Sequence, residues 1–316
     1  MPLYNKGLFV KRALDSVLCQ THADLEVIVV DDGSTDDGPK VVESFKDRRM
    51  QLIHQPNAGP GAARNRGITA SSSEWVGFLD ADDWWHPDFL RATLKAGRDF
   101  SSAVAVFSNH SFIFSPTPIF PRGPGPSRVL PDYFAFCLQH GGFGMCSSAL
   151  IAKREVLLRI GLFATNRLMG EDLDTWARLA WTGPIVFVPE PLATYDDTTS
   201  GLCTHRLTDC DIWSTYQAWK QGGRIPSHLQ GSSLAYVSHL RLMTARAWFR
   251  AGHTQEALQL TEEVPWPQFL RRGGLSLLAI ILVRWIRGQL KRSPNTGPGT
   301  VPGGSPKPIP TLTDHK

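Results

Sequence analysis

The sequence predicts an α/β fold, a mostly parallel sheet flanked by helices with a C-terminal helical extension, and three observations carry that reading. Short apolar runs suited to buried strands alternate with helical periodicities, and the links between them are short. Two of the runs end in aspartate: Val27–Val30 leads into Asp31-Asp32-Gly33-Ser34, and Trp75–Leu79 leads into Asp80-Ala81-Asp82-Asp83. The strands of an open parallel sheet meet at their carboxyl ends in one crevice, so acidic turns far apart in sequence can converge there. A hard cation such as Mg²⁺ takes one or two carboxylates and fills its shell with water and phosphate oxygens, which suits a short Asp-rich turn.

From Leu8 to Gln20, Phe9, Val10, Ala13, Leu14, Val17 and Leu18 recur at helical spacing and predict an amphipathic helix covering a sheet. A strand over Leu25–Val30 follows, then Ser34, Thr35 and Asp36 as caps before a helix from Pro39 to Phe45. Met50–His54 reads as a strand, residues 55–61 as a loop, and Ala62–Ala70 as a helix. The strand, acidic turn and helix pattern recurs through Trp75–Leu94, and Ala103–Phe107 supplies another strand. Proline and glycine mark residues 115–131 as an exposed loop. Beyond it, Ser147–Ala152 and Ile185–Pro189 read as extended, and Glu155–Ile160 and Asp172–Trp181 as helical. Leu234–Arg250 and Thr254–Glu262 read as a helical hairpin similar to one tetratricopeptide unit, which cannot bury its own face alone. The expected domains are residues 1–205, a helical extension at 206–292, and a disordered Pro/Gly-rich tail at 293–316.

The net charge of +4 on 316 residues is too small and too dispersed for a nucleic-acid footprint, and nucleic acid is set aside as a partner. Five cysteines, odd in number and without a CxxC pair, predict a reducing, cytoplasmic setting. Basic residues gather late: Arg271, Arg272, Arg284, Arg287, Lys291 and Arg292 flank the apolar run Leu275–Val283. That run is too short to span a bilayer. With Trp285 it suits either a helix lying peripherally on the inner membrane face or a terminal helix packed on the body.

Each acidic motif alone has an ordinary alternative. Asp31–Asp36 would serve as a turn and N-cap, Asp80–Asp83 as a solvated loop, and Glu171 with Asp172 as complements to a helix N-terminus. Trp84 and Trp85 suit sugar contact or packing, and His205 suits a metal or phosphate contact or a solvated loop. Their order along the chain adds weight. Pro2-Leu3-Tyr4-Asn5, Ser16-Val17-Leu18-Cys19-Gln20, Asp31–Asp36, Gln55–Gly59 with Ala63-Arg64-Asn65-Arg66-Gly67, Asp80–Asp83 and Gly170-Glu171-Asp172 occur in the order seen in family 2 of the inverting glycosyltransferases. Over its first 200 residues the chain resembles that family.

The resemblance implies a GT-A type, Rossmann-like fold and transfer of a sugar from a nucleotide-diphosphate sugar to a glycan or lipid-linked acceptor. It places Pro2, Tyr4, Asp32 and Arg64 at the nucleotide, with Tyr4 stacking on the base and Asp32 hydrogen-bonding it, and Arg66 as an alternative to Arg64. Asp82, with Asp80 through water, would hold Mg²⁺ or Mn²⁺; Glu171 and Trp85 would meet the acceptor; Asp172 would be the general base. No Gln lies three residues ahead of an Arg-Trp pair, so the processive signature is missing and one sugar per encounter is expected. Family members carry an apolar strand before the Pro-Leu-Tyr-Asn motif, whereas Met1 stands here where it should be ending, so the first strand is expected to be truncated and the natural start to lie upstream. Two other functions fit less well: a noncatalytic nucleotide-sugar-binding or scaffold protein, and a nucleotidyltransferase, for which an early Gly-rich basic loop is missing.

Overall fold

The computed structural model describes residues 1–114, 120, 125–142, 145–165, 167, 169–198, 212–265 and 267–268. The first strand, β1 (Pro2–Leu3), is two residues long. Helix α1 (Val10–Leu18) buries Val10, Ala13, Leu14 and Val17, the i, i+3, i+4, i+7 stripe of the sequence. Strand β2 (Val27–Asp31), helix α2 (Gly38–Ser44), strand β3 (Met50–His54) and helix α3 (Pro60–Ala70) follow in βα alternation, with proline in the first turn of both helices. β1, β2 and β3 form a parallel three-stranded sheet, in which Pro2 lies opposite Val30 and Val30 opposite Ile53.

A second sheet is built from β4 (Trp75–Gly77), β5 (Trp84–Trp85), β6 (Ala105–Phe112), β7 (Arg128–Val129), β8 (Leu150–Lys153) and β9 (Ile185–Tyr195). Its order is β4-β8-β6-β9-β5, with β7 also on β9. Only β6 and β9 run parallel there, so the larger sheet is mixed and the parallel expectation holds for β1–β3 and this one pair. Helices α4 (Phe89–Asp99), α5 (Tyr133–Gln139), α6 (Arg154–Arg159) and α7 (Glu171–Thr182) flank the strands. Three further helices, α8 (Ile212–Gln221), α9 (Gln230–Arg250) and α10 (Thr254–Glu262), come last.

The period of two along the central strands splits the apolar residues into two cores. Val106, Ile151, Val186 and Val188 join Leu3, Leu14 and Phe89 on one face, while Phe107, Leu150, Ile185 and Phe187 join Phe134, Trp176 and Tyr236 on the other. Three layers result, as the alternation of strands and helices predicts. Tyr236, Val237 and Leu240 place α9 in the second core, so the helical hairpin finds the partner surface that a lone repeat unit lacks. The described residues lie in one compact unit.

Three differences from the sequence reading have physical causes. Strand β9 continues past Pro189 to Tyr195 because the pairing with β6 shifts register around Asn109, and this irregular stretch accommodates prolines that lack an N–H. Ser147–Ala149 is a 3-10 turn instead of a strand, since both serines point their hydroxyls at acidic side chains. Residues 115–131 are not all exposed loop: Phe120 is buried among Phe107, Phe136 and Phe187, and Arg128–Val129 joins the sheet.

Gly97 of α4 faces the Trp75 indole, and an added Cβ would sit 2.9 Å from the ring. Alanine gains about 1 kcal/mol over glycine in a helix interior, whereas overpacking of this kind costs about 1–3 kcal/mol. Gly97→Ala is therefore expected to lower the urea midpoint; an unchanged or higher midpoint would show that the indole moves aside freely.

Candidate active site

The loop after β1 ties the two acidic turns together. Asn5, with a positive φ of 51° that asparagine tolerates, donates its N–H to Ser34 Oγ at 3.1 Å and accepts the Thr35 N–H on Oδ1 at 2.8 Å. The next residue, Lys6, reaches Asp82 Oδ2 with Nζ at 2.6 Å. Beside it Tyr4 is 43% exposed, an unusual setting for so large a ring.

Asp32 is buried, and its carboxylate organises the loop leading into α3. Oδ1 accepts from Gln55 Nε2 at 2.7 Å and the Ala58 N–H at 2.9 Å, and Oδ2 accepts the Gly59 N–H at 2.8 Å. Gly59 has φ 89°, so the bend that aims its N–H at Asp32 needs glycine. Gly61 is required for a different reason: a Cβ there would lie 2.8 Å from the Ala164 carbonyl oxygen and 3.3 Å from Glu171 Cγ. That close approach brings α3 against the start of α7. Asn65 fixes it by exchanging two hydrogen bonds of 2.8 Å with the backbone of Phe163.

On α3, Arg64 points inward and is only 8% exposed. Its Nη2 donates to Asp80 Oδ1 at 2.8 Å and its Nη1 to Glu171 Oε1 at 2.7 Å, so one guanidinium joins the acidic turn after β4 to the first turn of α7. Burial alone would lower the Arg64 pKa, but the Asp80 and Glu171 carboxylates outweigh it and raise it. Ser148 braces the same turn: Oγ accepts the Asp80 N–H at 3.1 Å and donates to Asp83 Oδ2. Asp83 is fully buried, which raises its pKa well above the usual carboxylate range, with the Asp80 charge adding to the rise.

Asp172 sits in the first turn of α7, where the helix dipole favours acidic residues, after Gly170 in the left-handed region at φ 77°. It is half-buried; Oδ1 accepts the Leu173 N–H at 2.7 Å and Ser147 Oγ lies 3.4 Å from Oδ2. Burial pushes its carboxyl up to about 6, the Glu171 charge adds to the rise, and Arg64 opposes it. Such a group is ionised at neutral pH yet more basic than an ordinary aspartate, which suits proton abstraction.

The structure thus joins Asp80, Arg64 and Glu171 in one ion-paired cluster whose charges reach Asp172, holds Asp82 of the same acidic turn on Lys6, and sets Asp32 at the loop leading into α3. Two expected roles are corrected. Trp85 is 6% exposed, stacked on Phe89 with centroids 4.2 Å apart, and its indole N–H donates to the Ser148 carbonyl; it belongs to the core and leaves no ring face for an acceptor. Glu171 is likewise buried and holds Arg64, which makes it a positioning residue and not an acceptor contact. Pro2 lies in the β1 ladder, Arg66 is exposed, and His205 and the basic segment around Trp285 lie outside the described residues.

Sequence reasoning missed Lys6, Arg12, Ser148 and Asp196, all of which contact the Asp80–Asp83 turn. Ser148 left a signal, a small polar pair at the start of an apolar strand; the other three left none. The helix signature Ser16–Gln20 proves to be a clamp: Ser16 Oγ accepts the Trp85 N–H at 3.1 Å, and Gln20 donates to the His86 carbonyl at 2.8 Å while accepting the Leu90 N–H at 2.9 Å. Arg178 serves the fold, pairing with Asp174 and donating to the carbonyls of Ile160 and Leu162.

Among the described residues no three His, Cys, Asp or Glu side chains gather as a metal-binding group. The all-oxygen set at Asp80 and Asp82, on a turn with partial solvent access, nevertheless fits a hard cation that takes one or two carboxylates and draws its remaining ligands from a bound diphosphate and water.

The chain is similar to known proteins in both sequence and fold. The chain is 32% identical over 186 residues to an uncharacterized glycosyltransferase of Rickettsia felis, covering 57% of this chain and 29% of that one. It is 33% identical over 163 residues to an uncharacterized glycosyltransferase of Nostoc sp., half of each chain. The matched segments span half or less of the length of these relatives. In fold it resembles S. aureus TarS 1–349 in complex with UDP-GlcNAc, with a TM-score of 0.60 at 17% identity over 76% of this chain and 70% of that chain. It also resembles the mannosyltransferase PcManGT from Pyrobaculum calidifontis in complex with GDP-Man and Mn²⁺, with a TM-score of 0.54 at 20% identity over 92% and 86% of the two chains. The fold is of the GT-A type. The description "Glycosyl transferase family 2" matches residues 1–161, just over half of the sequence and every motif up to the acidic turn at Asp80–Asp83, and the chain belongs to that family.

Proposed function

We propose that the chain is a nonprocessive inverting glycosyltransferase moving a sugar from a nucleotide-diphosphate sugar to a hydroxyl of a glycan or lipid-linked acceptor. The observation that carries this reading is the Arg64 bridge, which sets the acidic turn at Asp80 beside the half-buried Asp172. Direct displacement needs a base for the acceptor hydroxyl on one side of the anomeric carbon and positive charge for the leaving diphosphate on the other. Asp172 would take the hydroxyl proton as the oxygen attacks, and the bond to the diphosphate would break with its electron pair, inverting the configuration. Asp82 and Asp80 would hold Mg²⁺ or Mn²⁺, which when bound supplies charge to the diphosphate oxygens. Lys6 and Arg64 supply fixed positive charge at the same turn. Exposed Tyr4 would stack on the base, with Asp32 and its loop at the base edge. The UDP-GlcNAc and GDP-Man of the similar structures support the donor class. Membrane contact rests on the basic segment of the sequence alone.

The test is a panel of nucleotide-diphosphate sugars with Mn²⁺, with released nucleotide read by mass spectrometry and product configuration by NMR. Nucleoside diphosphate together with an inverted linkage is expected. Binding without turnover across varied acceptors would favour a noncatalytic donor-binding protein, and pyrophosphate release from a nucleoside triphosphate would favour a nucleotidyltransferase.

A further inference from the structure

Arg12 of α1 reaches across to the acidic turn from outside every motif considered above. Its Nη2 donates to the Asp82 carbonyl oxygen at 2.5 Å and to Asp196 Oδ2 at 2.6 Å, and its guanidinium carbon lies 4.0 Å from the centre of the Trp84 ring. Asp196, at the end of β9, is 2% exposed and is held in turn: its N–H donates to Asp83 Oδ1 at 2.9 Å, and its Oδ1 accepts the Thr198 N–H at 3.1 Å. A closed circuit results, running Arg12, Asp82 carbonyl, Asp83 carboxylate, Asp196 and back to Arg12. Its members come from α1, the acidic turn and the end of β9, which are separated by 70 and 184 residues from Arg12.

We infer that Arg12 and Asp196 are a positioning pair, which fixes the Asp82 peptide so that its carboxylate faces the donor diphosphate and its cation. The inference rests on the proposed donor site. A guanidinium fits this duty better than an ammonium, because its planar group lies against the Trp84 ring while the two hydrogens of one Nη2 bond the carbonyl and the carboxylate together. The carbonyl bond acts on the backbone, so it sets the direction of the Asp82 side chain without occupying the carboxylate. Neither residue touches the reacting atoms.

The predicted signature is selective. Loss of a hydrogen bond to a charged group in Arg12→Met should weaken calorimetric binding of UDP or GDP, whichever the wild-type chain binds with Mn²⁺, by about tenfold. Binding of the corresponding nucleoside, which lacks phosphates, should stay within about twofold because the effect is confined to the acidic turn. Arg12→Lys should recover part of the loss. Asp196→Ala, which leaves Arg12 in place and frees it to swing from Asp82, should shift diphosphate binding in the same direction, and thermal unfolding by circular dichroism identifies any variant that is not folded. Unchanged diphosphate binding in folded Arg12→Met or in Asp196→Ala overturns the positioning role, as does equal loss of nucleoside and diphosphate binding. If the wild-type chain binds neither diphosphate, the donor-site reading fails first, and the variants are not the cause.

Discussion

Asp172→Asn is expected to bind nucleotide-diphosphate sugar as the wild type does and to lose transfer by about 100- to 10,000-fold in kcat, the range for removing a general base. The substitution keeps the shape of the side chain and the oxygen that accepts the Leu173 N–H. What disappears is the lone pair that takes the acceptor proton. The wild-type rate should fall as pH drops through about 6, because protonation of Asp172 removes the base. Stability moves the other way. The folded pKa of about 6 lies above the ordinary 3.8, so between these values the folded chain holds a proton that the unfolded chain has released. This contribution is present at acid pH and is lost as pH rises through 6. The asparagine variant lacks the charge that burial penalises, so its Tm at pH 8 should equal or exceed that of the wild type. A variant that keeps wild-type turnover, with the same acid limb in its pH profile, would remove Asp172 from the base role.

The same contrast between isolated and assembled residues explains what could be read from the sequence. The apolar runs Leu25–Val30 and Met50–His54 located two strands within a residue or two: the first must be apolar because it is buried whatever its neighbours, and the second, a half-exposed edge strand, was legible from its short apolar run. The acidic turns were legible because charge directly after a buried run conflicts with burial and asks for a ligand or a partner. The direction of β8 and the bulge at Asn109 were not, because both are decided by which strands lie next to one another. Site residues divide along the same line. Asp80, Asp82 and Asp172 announce themselves by position after a strand or before a helix, whereas Lys6 and Arg12 are single basic residues on an exposed-looking segment. Trp85 misled for the converse reason: an indole beside an acidic turn resembles a sugar platform, and only its stacking on Phe89 and its bond to the Ser148 carbonyl reveal a core residue.

Removing Arg64 should have the largest effect on stability of any single change at the site. Its guanidinium is the shared counter-ion of Asp80 and Glu171, and Glu171 is 6% exposed, so Arg64→Met strands a buried carboxylate that water cannot reach. Breaking one side of a buried ion pair costs about 3–5 kcal/mol, mostly from the charge left behind. If that is the origin, the loss must depend on Glu171. In an Glu171→Gln background Arg64→Met should cost less by at least about 1 kcal/mol in urea unfolding, which is the coupling expected of residues in direct contact. Arg64→Lys should restore little, because a single ammonium cannot reproduce two N–H groups aimed at carboxylates on different elements. A loss below about 1 kcal/mol for Arg64→Met, within the usual range of surface substitutions, would mean that Asp80 and Glu171 find other partners. Arg64 would then not be what holds α3 to the acidic turn, leaving Gly61 and Asn65 as its contacts near α7. The larger outcome would explain why Gly61, Arg64 and Asn65 occur together: a close approach, a bridging cation and a backbone clamp are the three contacts by which this one helix holds the start of α7, and with it Asp172, in register with the acidic turn.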